Sequence, residues 1–333
     1  MIGGLTVYHP RYFLLPKVAM TIHAFSMFLG SLRCVRALHR EKKIDCIDAH
    51  FVYPDGLAAV LLGRHLKVPV TVSARGTDIN IYPSYRLIGL MIRWTLVHAN
   101  SVIAVSASLR DAMVALGCPQ EKIRLIPNAV DVERFRPIPS EEARRRLSLP
   151  EGEIVVVSVG SLIPSKGHQH LIRAIASIQE RYTRIRFYLI GEGFYRGELE
   201  KLIGSFGLEE RIRLLGKIPN EDLAFWYSAA AVSCLASSRE GWPNVVTESL
   251  ACGTPVVATR VGGIPEILNS PELGILVDQT AEALAEGILQ ALGKNWNREA
   301  ISRHASSRTW KIVAEEVEKV FSAQRMPETD SRG

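Results

Sequence analysis

The chain has 333 residues, 47% of them hydrophobic and 22% charged, which describes a soluble globular protein with room for two domains of ordinary size. No apolar run reaches the ~18–20 residues of a membrane span, because Arg93, His98 and Asn100 interrupt the best candidate. The five cysteines include no C-x-x-C pair, so reduced thiols in a cytoplasm are expected rather than a disulfide framework.

The first ten residues, MIGGLTVYHP, lack the basic start and apolar core of a signal peptide. Residues 1–150 carry 20 Lys and Arg against 11 Asp and Glu, a net of +9, and the remainder is net −3. A basic first half suits an anionic membrane surface or ligand. Equally, Arg33, Arg36, Arg40, Lys42 and Lys43 could simply solvate a helix face.

In chain order, CIDAHF, VPVTVSA, SVIAVS and IRLIPN read as short strands, with helices at DGLAAVLLGRHL and SASLRDAMVALG between them. After a Pro- and charge-rich stretch, RFRPIPSEEARRRLSLPEGE, the habit repeats. EIVVVSVG, IRFYLIG, IRLLG, AVSCLA and PVVAT read as strands; HQHLIRAIASIQERY, GELEKLIGSFG and VVTESLA read as helices. Continuous Val/Ile/Leu runs separated by helices predict parallel sheets covered on both faces. The expected organisation is an N-terminal lobe over 1–137, a hinge over 138–152, and a C-terminal lobe over 153–305. A terminal helix over 306–325 and a disordered tail over 326–333 complete it. Two Rossmann-like lobes place the natural ligand site in a cleft between them.

The stretch REGWPNVVTESLACGTPVVAT (239–259) holds Glu240 in a Gly/Pro loop and Glu248 in the helix that follows. Pro243 fits the first helical turn, and the N–H groups near 242–245 would be unpaired there, attractive to phosphate. Glu240 and Glu248 would accept hydrogen bonds from hydroxyls on either side, which is the shape of a nucleotide sugar. Taken alone, two glutamates eight apart are more often a capping acid and an exposed helix residue.

Context reverses that balance. This run resembles the donor-binding signature of the family 4 glycosyltransferases, which have the GT-B fold: two Rossmann-like lobes whose parallel sheets face a central cleft. SVGSLIPSKGHQHLIRAI, LIGEGFYRGELE, TRVGGIPEIL, GILVD and IPNAVDVERFRP resemble further segments of that family, over about residues 5–320. The resemblance implies a retaining transfer of a sugar from a nucleotide-diphosphate donor, with no cofactor and no metal. Lys166, in PSKG, matches the family's phosphate lysine, where a cation stabilises charge on the leaving diphosphate. Glu240 and the amides of Gly241, Trp242, Pro243, Asn244 and Val245 would hold the donor sugar, and Glu248 the ribose. Gly160 and Ser161 lie where the backbone approaches the phosphates, and Gly191 and Ile218 would line the base pocket.

In the first half, SARGTDIN places Arg75 where the family often has histidine. Arg75 could contact a phosphate or sugar oxygen, and Asp78 could orient it or cap the turn. His50, in HFVYPDG, is a candidate acceptor contact. The partners implied are a nucleotide sugar, a carbohydrate or lipid-linked acceptor and an anionic membrane surface, with no nucleic acid. The implied setting is cell-surface polysaccharide synthesis in the cytoplasm, peripheral to the membrane.

Three near-motifs fail. GSLIPSKG has Ser165 where a P-loop needs glycine, GGIPEI is not G-x-G-x-x-G, and His168 and His170 lie two apart without further ligands. Departures from the family pattern are also visible. Ser161 stands where an arginine usually precedes the lysine, Ala231 replaces a common aspartate, and the family's opening strand and glycine-rich loop have no counterpart before GGLTVYHPRYFLLP. That last departure predicts exposed sheet edges and apolar faces and leaves open a truncated, non-catalytic sugar-nucleotide binder; the two-lobe architecture leaves open, as a further alternative, a sugar-nucleotide epimerase.

Overall fold

The computed structural model describes residues 4–14 and 20–324, so the tail expected to be disordered lies outside the described residues. The chain forms two compact units, residues 1–127 with 314–333, and residues 128–313. The division falls at Pro127, ten residues before the expected end of the first lobe.

In the first unit, α1 (His23–Lys42) leads to β1 (Ile47–His50), α2 (Leu57–Leu66), β2 (Val70–Ala74) and the short α3 (Thr77–Asn80). Then come α4 (Arg86–His98), β3 (Ser101–Ala104), α5 (Ala107–Ala115) and β4 (Ile123–Leu125). The four strands form one parallel sheet in sequential order β1-β2-β3-β4. β2 and β3 are buried along their whole length, as expected of β-branched runs in a sheet covered on both sides. β1 is an edge strand with only Ala49 buried. Among the described residues, Leu5, Phe13 and Leu29 are 72%, 64% and 66% exposed, and Ala24 is the only buried residue of α1.

The second unit opens with α6 (Ser140–Arg146), inside the stretch read as a hinge. The expectation of a linker there missed a short helix, because Pro137 and Pro139 act as its entry rather than as breakers. Next are β5 (Ile154–Val159), α7 (His168–Ile178), β6 (Ile185–Ile190), α8 (Arg196–Ser205), β7 (Ile212–Gly216), α9 (Asn220–Ala229) and β8 (Val232–Leu235). They are followed by α10 (Asn244–Ala251), β9 (Val256–Thr259), α11 (Ile264–Ile267), β10 (Gly274–Val277), α12 (Ala281–Gly293) and α13 (Arg298–Ser306). The last helix, α14 (Trp310–Ser322), begins in this unit, and residues from Ala314 onward belong to the first.

The six strands are all parallel, in the order β10-β9-β8-β5-β6-β7. Alternation along β5 divides the core. Val156 joins Leu171, Ile172 and Ile175 of α7 and Leu284 and Ile288 of α12 on one face. Val155 and Val157 join Tyr188, Trp226 and Tyr227 on the other. Five apolar residues of α7 (Leu171, Ile172, Ala174, Ile175 and Ile178) are buried, at helical spacing, against this sheet. Burying a side chain of Leu or Ile size contributes roughly 1.5–3 kcal/mol, so this stripe fixes the start of α7, and with it Lys166. From β5 the chain runs outward to β6 and β7, then returns to β8 on the other side. The order reverses between β5 and β8, and beyond the carboxyl ends of those strands an open sheet of this kind leaves a ligand crevice.

Candidate donor-binding site in the second unit

Two loops leave the switch point. One, after β5, runs from Gly160 to Gly167; the other, after β8, runs from Ala236 to Pro243. They are laced together. Ser238 N–H donates to the Ser165 carbonyl at 2.8 Å, and Ser238 Oγ donates to the same oxygen at 3.3 Å. Gly167 adopts φ +71°, and a Cβ there would meet the Ala236 carbonyl oxygen at 1.9 Å, so only glycine permits the approach.

The lacing brings Lys166 onto Glu240. Lys166 Nζ lies 2.6 Å from Glu240 Oε1, with the side chains 25% and 10% exposed. Ser237 Oγ donates to the same carboxylate oxygen at 2.6 Å. Both bonds fall on Oε1, and among the described residues Oε2 has no partner. The sequence reading missed this pair and placed Glu240 against sugar hydroxyls alone. Oε2 keeps that role open while Oε1 holds the lysine.

The second loop is itself clamped. Gln279 Nε2 donates to Ala236 O at 2.8 Å, Thr259 Oγ1 to Ser237 O at 2.6 Å, and Gly263 N–H to Gly241 O at 3.2 Å. A Cβ on Gly262 would strike the Glu240 carbonyl oxygen at 1.9 Å. Helix α10 begins at Asn244, one residue before the VVTESLA run read as helical, and Pro243, expected in its first turn, keeps an extended conformation at the N-cap position. Asn244 Oδ1 accepts from Asn128 Nδ2 at 3.0 Å, and Val245 packs against the neighbouring core. The Trp242 side chain lines a cavity of about 180 Å³ with Thr247, Leu250, Ile267 and His304, and among the described residues its buried Nε1 has no partner.

Glu248 sits one turn into α10. Its Oε2 accepts from the hydroxyl of Tyr227, which is fully buried, at 3.1 Å. Burial raises the Glu248 pKa; the Tyr227 hydrogen bond and the charge of Arg134 oppose this less strongly. Burial, then Glu248 itself, push the Tyr227 hydroxyl well above its usual value. A carboxylate with so little water and one donor is short of hydrogen-bond donors, which a vicinal diol supplies. Among the described residues no hydrogen bond or ion pair joins Glu248 to Lys166 or Glu240.

The remaining expected residues lie along the same strand ends. Gly160 follows β5, and its N–H donates to Ile190 O. Gly191 follows β6 at φ +148°, where a Cβ would meet Gly160 O at 1.9 Å. Ser161 is exposed on the loop, and Ile218 packs on the α9 side of the core beyond β7. Tyr227 and Ser237 were not singled out from sequence, and His168 was weighed only as a metal ligand and set aside. A hydroxyl or imidazole in an apolar run gives no signal until its partner is known. Among the described residues, no group of three or more His, Cys, Asp or Glu could hold a metal ion.

In the first unit, Asp78 is fully buried, and its carboxylate accepts from the N–H groups of Val52 (2.7 Å), Arg75 (3.1 Å) and Gly76 (2.8 Å). These three backbone donors make Asp78 a cap of the turn. The Arg75 guanidinium meets His50 Nδ1, and His50 Nε2 lies 3.2 Å from Asp48. Burial lowers the Arg75 pKa, while Asp48 and then Asp78 oppose it.

Residues 139–308 match the family model described as glycosyl transferases group 1, and residues 7–134 the model described as glycosyltransferase family 4. The chain belongs to glycosyltransferase family 4. Among the relatives of this glycosyltransferase is the putative teichuronic acid biosynthesis glycosyltransferase TuaC of Bacillus subtilis, 28% identical over 96% of this chain and 77% of its own length. Another is the D-inositol 3-phosphate glycosyltransferase of Corynebacterium urealyticum, 31% identical over 68% of this chain and 57% of its own. In structure, Anabaena Alr3699/HepE in complex with UDP superposes with a TM-score of 0.75 at 22% identity, covering 89% of this chain and 84% of that one. This family 4 glycosyltransferase therefore has the GT-B fold.

Proposed function

We propose that the protein moves a hexose-type sugar from a nucleotide-diphosphate donor to a carbohydrate or lipid-linked acceptor, with retention and without a metal, in cell-surface polysaccharide synthesis. The observation that carries this reading is the meeting of Lys166 and Glu240 at the β5/β8 switch point. Retention here means that the acceptor hydroxyl oxygen bonds the anomeric carbon on the face the diphosphate leaves, while the bond from that carbon to the diphosphate oxygen breaks and the hydroxyl proton passes to the departing diphosphate. Negative charge collects on the departing diphosphate. Lys166 and the amino-terminal end of α7 lie beside one another to receive it, in the place a metal ion would otherwise take. Glu240 Oε2 and the start of α10 bind sugar hydroxyls, and Glu248, short of donors, binds the ribose diol. The relatives named for teichuronic acid and inositol phosphate, and the UDP-bound Anabaena structure, support the substrate classes.

The same reading places the first unit at an anionic membrane surface. Arg33, Arg36, Arg40, Lys42 and Lys43 are all exposed on or just beyond α1. On α4 the outward face carries Arg86, Leu87, Leu90 and Arg93, with both leucines more than half exposed. No helix among the described residues is long and apolar enough to cross a membrane.

The test is a panel of UDP-, GDP-, ADP- and dTDP-sugars screened for thermal stabilisation. It is followed by release of the nucleoside diphosphate on adding polyprenyl-linked or oligosaccharide acceptors, in chelator. Stabilisation by one donor class and chelator-insensitive release are expected. Binding without release under any acceptor would favour a non-catalytic binder, and interconversion of the donor sugar an epimerase.

A further inference from the structure

His168 opens α7, directly below the Gly160–Ser161 turn, and it is fully buried. Among the described residues neither ring nitrogen has a hydrogen-bond partner. A Cβ built on Gly160 would lie 3.9 Å from His168 Nε2 and 3.8 Å from the Lys166 Cδ, so the imidazole and the lysine stem support the same turn. Leaving a buried imidazole unpaired is a cost that an apolar side chain of similar size does not carry. The ring is neutral. Burial pushes its pKa down to about 4, and the Lys166 charge acts in the same direction, while the backbone of Ser161 and Gly160 acts against them.

The peptide between Gly160 and Ser161 is planar, so its carbonyl and its N–H point in opposite directions. Ser161 is exposed, and its N–H has no partner among the described residues. Gly160 O packs against Gly191, on the inner side of the turn.

We infer that His168 is a positioning residue of the diphosphate loop: its ring N–H holds the Gly160 carbonyl inward when donor binds, so that the Ser161 N–H on the same peptide is aimed at a phosphate oxygen. This rests on the donor-binding reading above and assigns part of it to a side chain that touches no substrate. Among the described residues the ring lies beside the Ser161 and Gly160 backbone without a completed hydrogen bond, and a small tightening of the turn on a phosphate closes it. Ser161 then contributes through its backbone where an arginine side chain was expected.

The test uses the full chain with UDP, GDP, ADP and dTDP as probes, and compares His168→Leu with His168→Gln, which keeps a neutral N–H donor. In His168→Leu the affinity for the diphosphate that binds wild type should fall about tenfold, the loss of one hydrogen bond, with a melting temperature equal to or above wild type. His168→Gln should remain within about threefold of wild type. If His168→Leu does not fold, His168→Met replaces it. An apolar variant that binds the diphosphate as tightly as wild type overturns the inference and leaves the donor site intact. A wild-type protein that takes up none of the four diphosphates overturns both.

Discussion

Lys166 and Glu240 form a contact whose energy can be separated from its role in turnover. Replacing Lys166 with Met strips Glu240 Oε1 of its cation and leaves Ser237 Oγ as its partner, with the carboxylate side chain only 10% exposed. Exposed pairs contribute about 0–1 kcal/mol and breaking fully buried ones costs 3–5 kcal/mol. With Lys166 a quarter exposed, solvent screens the pair, and about 2 kcal/mol is expected. For a unit of this size 1 kcal/mol shifts the melting temperature by about 2–4 °C, so Lys166→Met should melt about 4–8 °C below wild type. Glu240→Gln should cost less, about 1 kcal/mol, because the lysine left behind can reach water. The double variant Lys166→Met/Glu240→Gln leaves no charge stranded and should recover to within about 1 kcal/mol of wild type. Circular-dichroism melting of the four proteins without ligand measures the cycle. Donor turnover, assayed on the same preparations, should fall at least about a hundredfold in Lys166→Met, and the double variant should not recover it. Additive losses in the cycle, or a Lys166→Met protein as stable as wild type, would refute the argument.

Glu248→Gln should raise the melting temperature of the empty protein while weakening diphosphate-nucleoside binding by about 1–3 kcal/mol. Folding raises the Glu248 pKa above its ordinary 4.5. Stability from this group is therefore complete below that value and is lost as pH rises through the folded pKa. The advantage of the variant should be present at about pH 7.5 and vanish near pH 4; equal melting temperatures at both would contradict it. Gly191→Ala, at φ +148° with Gly160 O 1.9 Å from the new carbon, should destabilise by at least about 2 kcal/mol and abolish donor binding; an unchanged denaturation midpoint would show the turn to be tolerant. At the surface, Leu87→Glu/Leu90→Glu should reduce co-sedimentation with vesicles containing anionic lipid, leaving thermal stability unchanged. Equal binding to neutral and anionic vesicles would argue against the charged face.

The sequence by itself determined the strands and helices that carry the site. β-Branched runs such as IVVVSV cannot be placed anywhere but inside a covered sheet, and Lys166, Glu240 and Glu248 stand in patterns specific enough to single out. What it could not determine is which of these groups touch. Lys166 and Glu240 are 74 residues apart, and they meet because the strand order reverses between β5 and β8, a property of how six strands pair and not of any local stretch. The same holds for Tyr227 beneath Glu248, for His168 beneath the Gly160 turn, and for Asp78, whose buried carboxylate serves the backbone around it. Local periodicity fixes an element because its cause, one apolar face, is local. The partner of a buried polar group is set only when distant segments pack, so only the tertiary structure decided which side chains carry charge, proton or hydrogen bond to which.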